Sequence, residues 1–341
     1  MELRKSARRL AFAPASRVLF VLIVGGATVS ATSITTGDLL VPFVSGSSIL
    51  EFAPGSLASP VLTIGLPSGY TYTTGQIESV IVRSSDQHIF TNVLHDGIGT
   101  VLELDSSGAF VAALASPSSS FVNQLVFDPS DPTHSTVLAG NTSGSAVHEV
   151  DKFDPDAGTT GTKFTQASAV FTGLAIDSTG LIYVSNENTG VVEQYSGAGV
   201  FIEHFATIAS ATSPMTSDMS LTGMTFDSLG DLYVGQDTSG YILKFSGSGG
   251  YLASFGTDVL HPEGPFYNPG NSLLYIGSKS TSFLTTIKTD GTSAAETSMG
   301  STTGVGIPTI VPAVTVPEPA SVGSCGAALL LALLQRRRHS G

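Results

Sequence analysis

Residues 172–207 read TGLAIDSTGLIYVSNENTGVVEQYSGAGVFIEHFAT, and residues 222–257 read TGMTFDSLGDLYVGQDTSGYILKFSGSGGYLASFGT. Both stretches begin with Thr-Gly, continue through Asp-Ser-x-Gly to a segment containing Tyr-Val, and then reach a third segment that ends in Tyr/Phe-Ser-Gly. Short runs rich in Val, Ile, Tyr and Phe, separated by Gly-containing turns, predict β-strands joined by tight turns. Each stretch holds four such runs, so each is predicted to form one four-stranded antiparallel blade of a β-propeller.

Fainter copies of this unit extend the repeat in both directions. The second strands of all six copies, clear and faint, are predicted to begin near Gly37, Gln87, Ser135, Gly180, Gly230 and Ser272. The spacing of about 42 to 50 residues is typical of propeller blades. The sequence therefore predicts an all-β, six-bladed propeller over residues 32–310.

The first copy lacks its first strand, which predicts how the ring closes. Residues 303–307 read TGVGI and resemble TGLAI at residues 172–176. An unpaired strand edge favours aggregation, so a C-terminal strand that completes the first blade would remove it. We expect residues from about 303 to 310 to do this.

The two clear copies also carry a family resemblance. The pattern at Gly173–Ser196 and Gly223–Ser246 resembles the NHL type of β-propeller repeat. The resemblance implies a propeller fold, on which both binding proteins and enzymes are built.

Charge and cysteine content exclude some classes of protein. Residues 32–319 carry 6 Lys and Arg against 26 Asp and Glu. A body this acidic repels phosphate, so nucleic acid is excluded as a partner. The single cysteine, Cys325, excludes a disulfide framework within the chain, so the fold must depend on an apolar core.

The N-terminus predicts export. Residues 1–31 contain early Lys and Arg, the apolar run Val18–Val24, and small residues that end at Ala31. That order is typical of a secretory signal peptide, with cleavage expected after Ala31. The alternative is an N-terminal helix that stays in the membrane as an anchor.

The C-terminus resembles a bacterial sorting signal. Residues 311–321 form a Pro-rich linker that contains Pro317-Glu318-Pro319, and residues 322–341 form a short apolar segment followed by Arg336-Arg337-Arg338. This order resembles the PEP-CTERM signal, which implies recognition by an exosortase-type membrane enzyme. The short apolar helix would hold the chain weakly in the membrane before processing, with its basic end in the cytoplasm. We therefore expect a protein of the bacterial cell envelope, cell surface or extracellular matrix.

Two groups of aspartates are candidate cation ligands, and each has a structural alternative. Asp128, Asp177 and Asp227 recur between the first and second strands of three copies, where a carboxylate can accept backbone N–H groups of the turn. Because a binding site would differ from blade to blade, the recurrence favours a turn over a metal ring. Residues 151–158, DKFDPDAG, loosely resemble a calcium loop with Asp151, Asp154 and Asp156 as ligands, but the usual terminal carboxylate is missing. A solvated hairpin is the alternative, and no other cofactor is expected.

Catalytic motifs are absent from the sequence. It contains neither a G-x-S-x-G nucleophile elbow nor a G-x-x-x-x-G-K-[ST] phosphate loop. Six histidines are scattered along the propeller, and several polar residues near strand ends could reach one mouth of the central channel. The histidines are His88, His95, His134, His148, His204 and His261, and the polar residues are Glu78, Asp86, Asn186, Glu187, Asn188 and Asp237.

Three functional hypotheses follow. The first is an exported, non-catalytic propeller that binds a polysaccharide or protein in the extracellular polymer, with no catalytic residues assigned. The second is a metal-assisted, lactonase-like lyase or hydrolase with its site in the central channel, which requires several acidic or His side chains at one mouth. The third is an envelope protein that keeps residues 317–341 as an anchor.

Overall fold

The computed structural model describes residues 33–44, 47–70, 77–117, 121–133, 135–142, 148–167, 171–208, 219–256, 261–292, 295–299 and 304–314. These residues form an all-β, six-bladed propeller of four-stranded antiparallel sheets. The predicted signal peptide, sorting motif and basic tail lie outside the described residues. Within the described ranges, no helix has the length and apolar character needed to cross a membrane.

The blades follow the chain. Blade 1 contains β1 (Leu39–Phe43), β2 (Ser48–Phe52), β3 (Leu62–Gly65) and β24 (Thr309–Ile310), and blade 2 contains β4 (Val80–Val82), β5 (Ile89–His95), β6 (Ile98–Leu104) and β7 (Phe110–Ala115). Blade 3 contains β8 (Phe121–Phe127), β9 (Val137–Thr142), β10 (His148–Phe153) and β11 (Thr162–Ala167), and blade 4 contains β12 (Phe171–Ile176), β13 (Ile182–Asn186), β14 (Val191–Tyr195) and β15 (Phe201–Thr207). Blade 5 contains β16 (Leu221–Phe226), β17 (Leu232–Gln236), β18 (Tyr241–Phe245) and β19 (Tyr251–Gly256), and blade 6 contains β20 (Pro262–Asn268), β21 (Leu273–Ser278), β22 (Phe283–Lys288) and β23 (Ala295–Ser298). The first strand of blades 2 to 6 is innermost and lines the channel.

The end of the chain closes the ring, as the sequence predicts. β24 pairs with β1 and takes the innermost place in blade 1. Hydrogen bonds extend the contact on both sides of the short strand, from the N–H of Val44 to the Gly304 carbonyl (2.8 Å) and from the N–H of Val311 to the Asp38 carbonyl (2.8 Å). The predicted closing strand is therefore confirmed.

The register of the closing strand differs by three residues from the motif resemblance. Ile310 pairs with Leu39 at the place where Ile176 pairs with Ile182 in blade 4. Ile307, not Gly304, therefore occupies the place of Gly173. Strand pairing fixes the register here, and the short TGVGI motif is too Gly-rich to specify it.

Apolar side chains fill all six interfaces between neighbouring blades, including the one between the last and the first. The pairs Leu40 and Val80, Phe90 and Val137, Leu138 and Leu174, Tyr183 and Leu232, Tyr233 and Leu274, and Tyr275 and Leu39 each belong to one such cluster. Burying each large apolar side chain stabilises the fold by about 1.5 to 3 kcal/mol. The core is thus a closed series of blade-to-blade contacts around the channel.

The recurring aspartates form turns. Oδ1 of Asp177 accepts the N–H groups of Thr179 (2.8 Å) and Leu181 (3.0 Å), and Asp227 accepts the equivalent N–H groups in blade 5. The other carboxylate oxygen of Asp177 accepts the hydroxyl of Tyr183 on the next strand. In blade 3, Asp128 caps its turn through the N–H of Ser130. The interpretation as Asx turns is confirmed.

Candidate functional site

One position of the innermost strands places side chains around the mouth of the channel. The strand registers align Glu78, Asn123, Thr172, Thr222, Glu263 and Gly306. All of these except Gly306 line a cavity of about 310 Å³. The six-fold geometry of the propeller therefore brings residues that lie far apart in the sequence to one small space.

A second position adds charge to the same cavity. Glu187, Asp237 and Lys279 each follow the second strand of their blade, in blades 4, 5 and 6, and all three line the cavity. Together with Glu78 and Glu263, the lining holds four carboxylates and one ammonium group. Phe121 also contributes to the lining, with 42% of its surface exposed.

Gln124 and Ile307 separate this cavity from the rest of the channel. Both residues line the acidic cavity and also a second, more apolar space of about 320 Å³ further along the channel. The Gln124 side chain crosses the channel, where Nε2 donates to the Met224 carbonyl (2.9 Å) and Oε1 accepts the N–H groups of Leu174 (3.0 Å) and Met224 (2.9 Å). Since both of its polar ends are bonded to backbone, we expect Gln124 to hold this position firmly.

Lys279 lies between the two most buried carboxylates. Its Nζ is 3.7 Å from Oε1 of Glu78 and 3.8 Å from Oε1 of Glu263. Burial alone would lower the pKa of Lys279, but Glu78, Glu263, Asp237 and Glu187 together raise it. The lysine therefore stays protonated and is a poor nucleophile.

The buried carboxyl groups hold protons more tightly than usual. Burial raises the pKa of Glu78, and burial together with the charge of Glu78 raises the pKa of Glu263 well above its ordinary value. The attraction of Lys279 opposes both shifts. At the rim, Nδ1 of His261 lies 3.1 Å from Oδ1 of Asp237. The mouth is thus acidic, with its charge sensitive to pH.

The structure brings together only some of the polar residues that the sequence singles out. Glu78, Glu187 and Asp237 line the cavity. Asp86 instead pairs with Arg83 (2.7 Å) in the turn between β4 and β5. Asn186 is buried, and its side-chain oxygen accepts N–H groups of the turn that follows. Asn188 lies in that turn and is exposed.

The described histidines do not converge at one mouth. His88 contacts Glu103 (2.7 Å), His95 packs on Tyr70, and His204 is exposed on β15. Of the histidines whose side chains the structure describes, His261 alone is paired with a residue of the cavity, Asp237. His134 and the side chain of His148 lie outside what the structure describes.

The aspartates of the calcium-loop hypothesis lie in two environments. Asp151 is fully buried on β10, where its Oδ2 accepts hydrogen bonds from Ser116 Oγ (2.7 Å) and Asn141 Nδ2 (2.9 Å). Asp154 and Asp156 lie in the turn after β10, where Oδ1 of Asp154 accepts the N–H of Asp156 (2.9 Å). Across the described ranges, no three or more His, Cys, Asp or Glu side chains are grouped to hold a metal ion.

We expect Asp151→Asn to stabilise the protein above pH 7. Burial raises the pKa of Asp151 to about 7, and Glu149 adds to the shift. The folded state therefore holds this proton more tightly than the unfolded chain does. The stability that the proton contributes is fully present below about pH 4 and is lost as the pH rises through 7. The neutral amide removes a penalty on the order of 4 kcal/mol at high pH.

Denaturant unfolding of both proteins between pH 4 and 8 measures this difference. Asp156→Asn, in the exposed turn, is the control and should change stability by less than about 0.5 kcal/mol. A stability difference between wild type and Asp151→Asn that is the same at every pH would contradict the assignment.

Two charged residues of the cavity, Glu263 and Lys279, are not predicted from the sequence. Their signal is a departure from the repeat. Glu263-Gly264 stands where the clear copies have Thr172-Gly173 and Thr222-Gly223, and Lys279 stands where those copies have Glu187 and Asp237. Aligning the sixth copy with the two clear copies shows these differences, and they could have marked both residues as candidates for the site.

Comparison with known proteins shows the fold. No family model matches the chain, and no curated protein matches it in sequence. Its structure is similar to a Bacteroides caccae protein of unknown function, at 12% identity and a TM-score of 0.58, over 80% of this chain and 98% of that one. It is also similar to a chain of a nidogen/laminin complex, at 11% identity, TM-score 0.61 and coverage of 82% and 99%. A luciferin-regenerating enzyme is similar at 13% identity, TM-score 0.54 and coverage of 84% and 98%.

Proposed function

We propose that this protein is an exported propeller that binds a glycan at the acidic mouth of its channel. The observation that carries the proposal is the lining of the cavity, in which hydrogen-bonding side chains from blades 2 to 6 surround one small space. Sugar hydroxyls donate to carboxylates and to amide oxygens, and such groups fix the orientation of a bound ligand. The half-exposed ring of Phe121 offers an apolar surface for a sugar face.

The size of the cavity supports a small ligand or the end of a longer chain. Its volume of about 310 Å³ is near the lower end for small-molecule sites. Gln124 and Ile307 line both this cavity and the next space along the channel, so they stand in the path of a ligand that enters from the mouth. This position favours recognition of a chain end over recognition along a polymer.

The location of the protein is part of the proposal. The signal-like residues 1–31 support export, and Pro317-Glu318-Pro319 with Arg336–Arg338 supports sorting by an exosortase-type enzyme to the cell surface or extracellular matrix. Replacing Pro317, Glu318 and Pro319 by alanine should leave the protein in the inner membrane fraction. An unchanged distribution in cell fractionation would contradict the sorting proposal and would leave the glycan-binding proposal unaffected.

A second candidate is a hydrolase or lyase that acts in the same cavity. Glu78 and Glu263 favour it, because a carboxyl group with a raised pKa can hold a proton near neutral pH and donate it to a leaving group. A metal-assisted version needs an ion that the described side chains are not grouped to hold. Turnover of a glycan, or a stoichiometric ion in the purified protein, would favour this candidate over simple binding.

A glycan array followed by calorimetry tests the binding proposal. We expect the exported protein to bind at least one oligosaccharide, with no cleavage on long incubation. Glu263→Gln should weaken binding at least about tenfold, which corresponds to 1.4 kcal/mol. Glu296→Gln, a carboxylate exposed on β23, is the matched control and should bind as the wild type does. Binding of equal strength in all three proteins, or no binding to any glycan, would overturn the proposal.

A further inference from the structure

Among the described residues, the cavity is lined by more carboxyl groups than ammonium groups. Four carboxylates line it, from Glu78, Glu187, Asp237 and Glu263, against the single ammonium group of Lys279. These groups come from four blades, and their charges shift one another's pKa values. Like charges that line one cavity disfavour ionisation, so a bound cation would relieve the repulsion.

Glu263 is a buried carboxylate with an incomplete set of partners. The residue is 7% exposed, and its Oε1 accepts no hydrogen bond from the part of the chain that the structure describes. Nζ of Lys279 is 3.8 Å from this oxygen, which is too far for a hydrogen bond. An unpaired buried carboxylate is costly, and a protein retains one where a ligand completes it.

Lys279 cannot satisfy both of its neighbours at once. It lies 3.7 Å from Glu78 and 3.8 Å from Glu263, so neither carboxylate has a close ion pair. A second ammonium group in the cavity would let Lys279 move to one carboxylate while the ligand pairs with the other. Of the other two carboxylates, Asp237 contacts Nδ1 of His261 (3.1 Å).

We infer that the ligand of this site carries a primary ammonium group, so that the glycan it takes is an amino sugar with a free amine. This inference rests on the proposed function and names the class of ligand for it. The ammonium group of the ligand pairs with Glu263 while Lys279 pairs with Glu78, and the sugar hydroxyls contact Asn123, Asp237 and Glu187. The charge of the cavity selects against acidic sugars, since it would repel their carboxylates.

The same arrangement predicts how binding depends on pH. A cation stabilises the ionised forms of Glu78 and Glu263, so binding releases protons from these groups when the pH lies below their raised pKa values. The charged groups that face them are Lys279, Asp237 and Glu187. Affinity for the amine therefore rises with pH while the glutamates ionise, and affinity for a neutral sugar does not.

Three oligosaccharides of one length and linkage test the inference, because they differ only at carbon 2. They are the β-1,4-linked trisaccharides of glucosamine, N-acetylglucosamine and glucose. Calorimetry on the exported protein should give at least about tenfold tighter binding of the glucosamine trisaccharide. The preference should shrink as salt is added, because it depends on charge.

Variants separate the inference from the proposed function. Glu263→Gln should reduce the preference to less than about threefold, Asp237→Asn should weaken all binding, and Glu296→Gln should change neither; thermal melting confirms that each variant folds. If the neutral or acetylated trisaccharide binds as tightly as the amine, the inference is overturned while glycan binding stands. If none of the three binds and the glycan array is also blank, both are overturned.

Discussion

A chain that stops after residue 303 is expected to be unfolded or aggregated, whereas a chain that stops at Val314 should melt cooperatively. The difference between the two is the closing segment, residues 304–314, which contains β24 and the buried side chains of Val305, Ile307 and Val311. Three buried apolar side chains contribute roughly 5 kcal/mol or more, which is comparable with the whole stability of a typical domain. Loss of the segment also leaves the edge of β1 unpaired.

Circular dichroism, thermal melting and size-exclusion chromatography of the two chains measure the effect. Adding a synthetic peptide of residues 304–314 to the shorter chain should restore a cooperative melt, and a peptide of the same composition in scrambled order should not. A shorter chain that stays monomeric and melts within a few degrees of the longer one would show that the first blade holds without its innermost strand.

The closing strand illustrates how far the sequence could predict the fold. Two copies of one unit were enough to predict the blades, because turn chemistry at Asp177 and Asp227 and the alternation of apolar residues are local properties. The absence of a first strand in the first copy predicted closure from the other end of the chain. The register of the closing strand does not follow from local sequence. It is fixed by the pairing of Ile310 with Leu39, two residues from opposite ends of the propeller sequence.

The candidate site was harder to predict, and the reason is physical. A residue that repeats from blade to blade, such as the aspartate of the turn, serves the blade, whereas a binding site needs different side chains at equivalent positions. The sequence singles out Glu78, Asp237 and Glu187 because they are polar residues near strand ends. It does not single out Glu263 and Lys279, because they lie in a weak copy of the repeat.

Convergence at the mouth also depends on how closely the blades approach one another there. Gly223 of blade 5 and Gly264 of blade 6 lie so near that a Cβ built on Gly264 would be 2.5 Å from the Cα of Gly223. The Thr-Gly at the start of the clear copies is thereby explained, since the glycine allows the contact and the residue before it faces the cavity. The Thr-Gly motif can be recognised in the sequence, but its role in packing is visible only in the folded propeller.

Gly277→Ala is expected to destabilise the propeller by about 3 kcal/mol or more, through the contact between blades 6 and 1. A Cβ at position 277 would overlap the carbonyl oxygens of Val305 and Gly306 in the closing segment. These are backbone atoms held by their neighbours, since the N–H of Val305 donates to the Ser278 carbonyl (2.7 Å) and that of Gly306 to the Pro42 carbonyl (2.9 Å). The strain therefore cannot be relieved by a side-chain rotation, and the closing segment must move.

Gly65→Ala is the matched control, because a Cβ there meets nothing within 4 Å and its backbone needs no left-handed conformation. We expect it to change stability by less than about 0.5 kcal/mol. Gly277→Ala should also displace Lys279, two residues further along the chain, so glycan affinity should fall even at a temperature where the variant is folded. If both alanine variants unfold at the same denaturant concentration, close packing of blade 6 against the closing segment would not be what holds the ring shut. If Gly277→Ala is destabilised but binds as the wild type does, a shift of the closing segment against blade 6 would not displace Lys279 in the cavity.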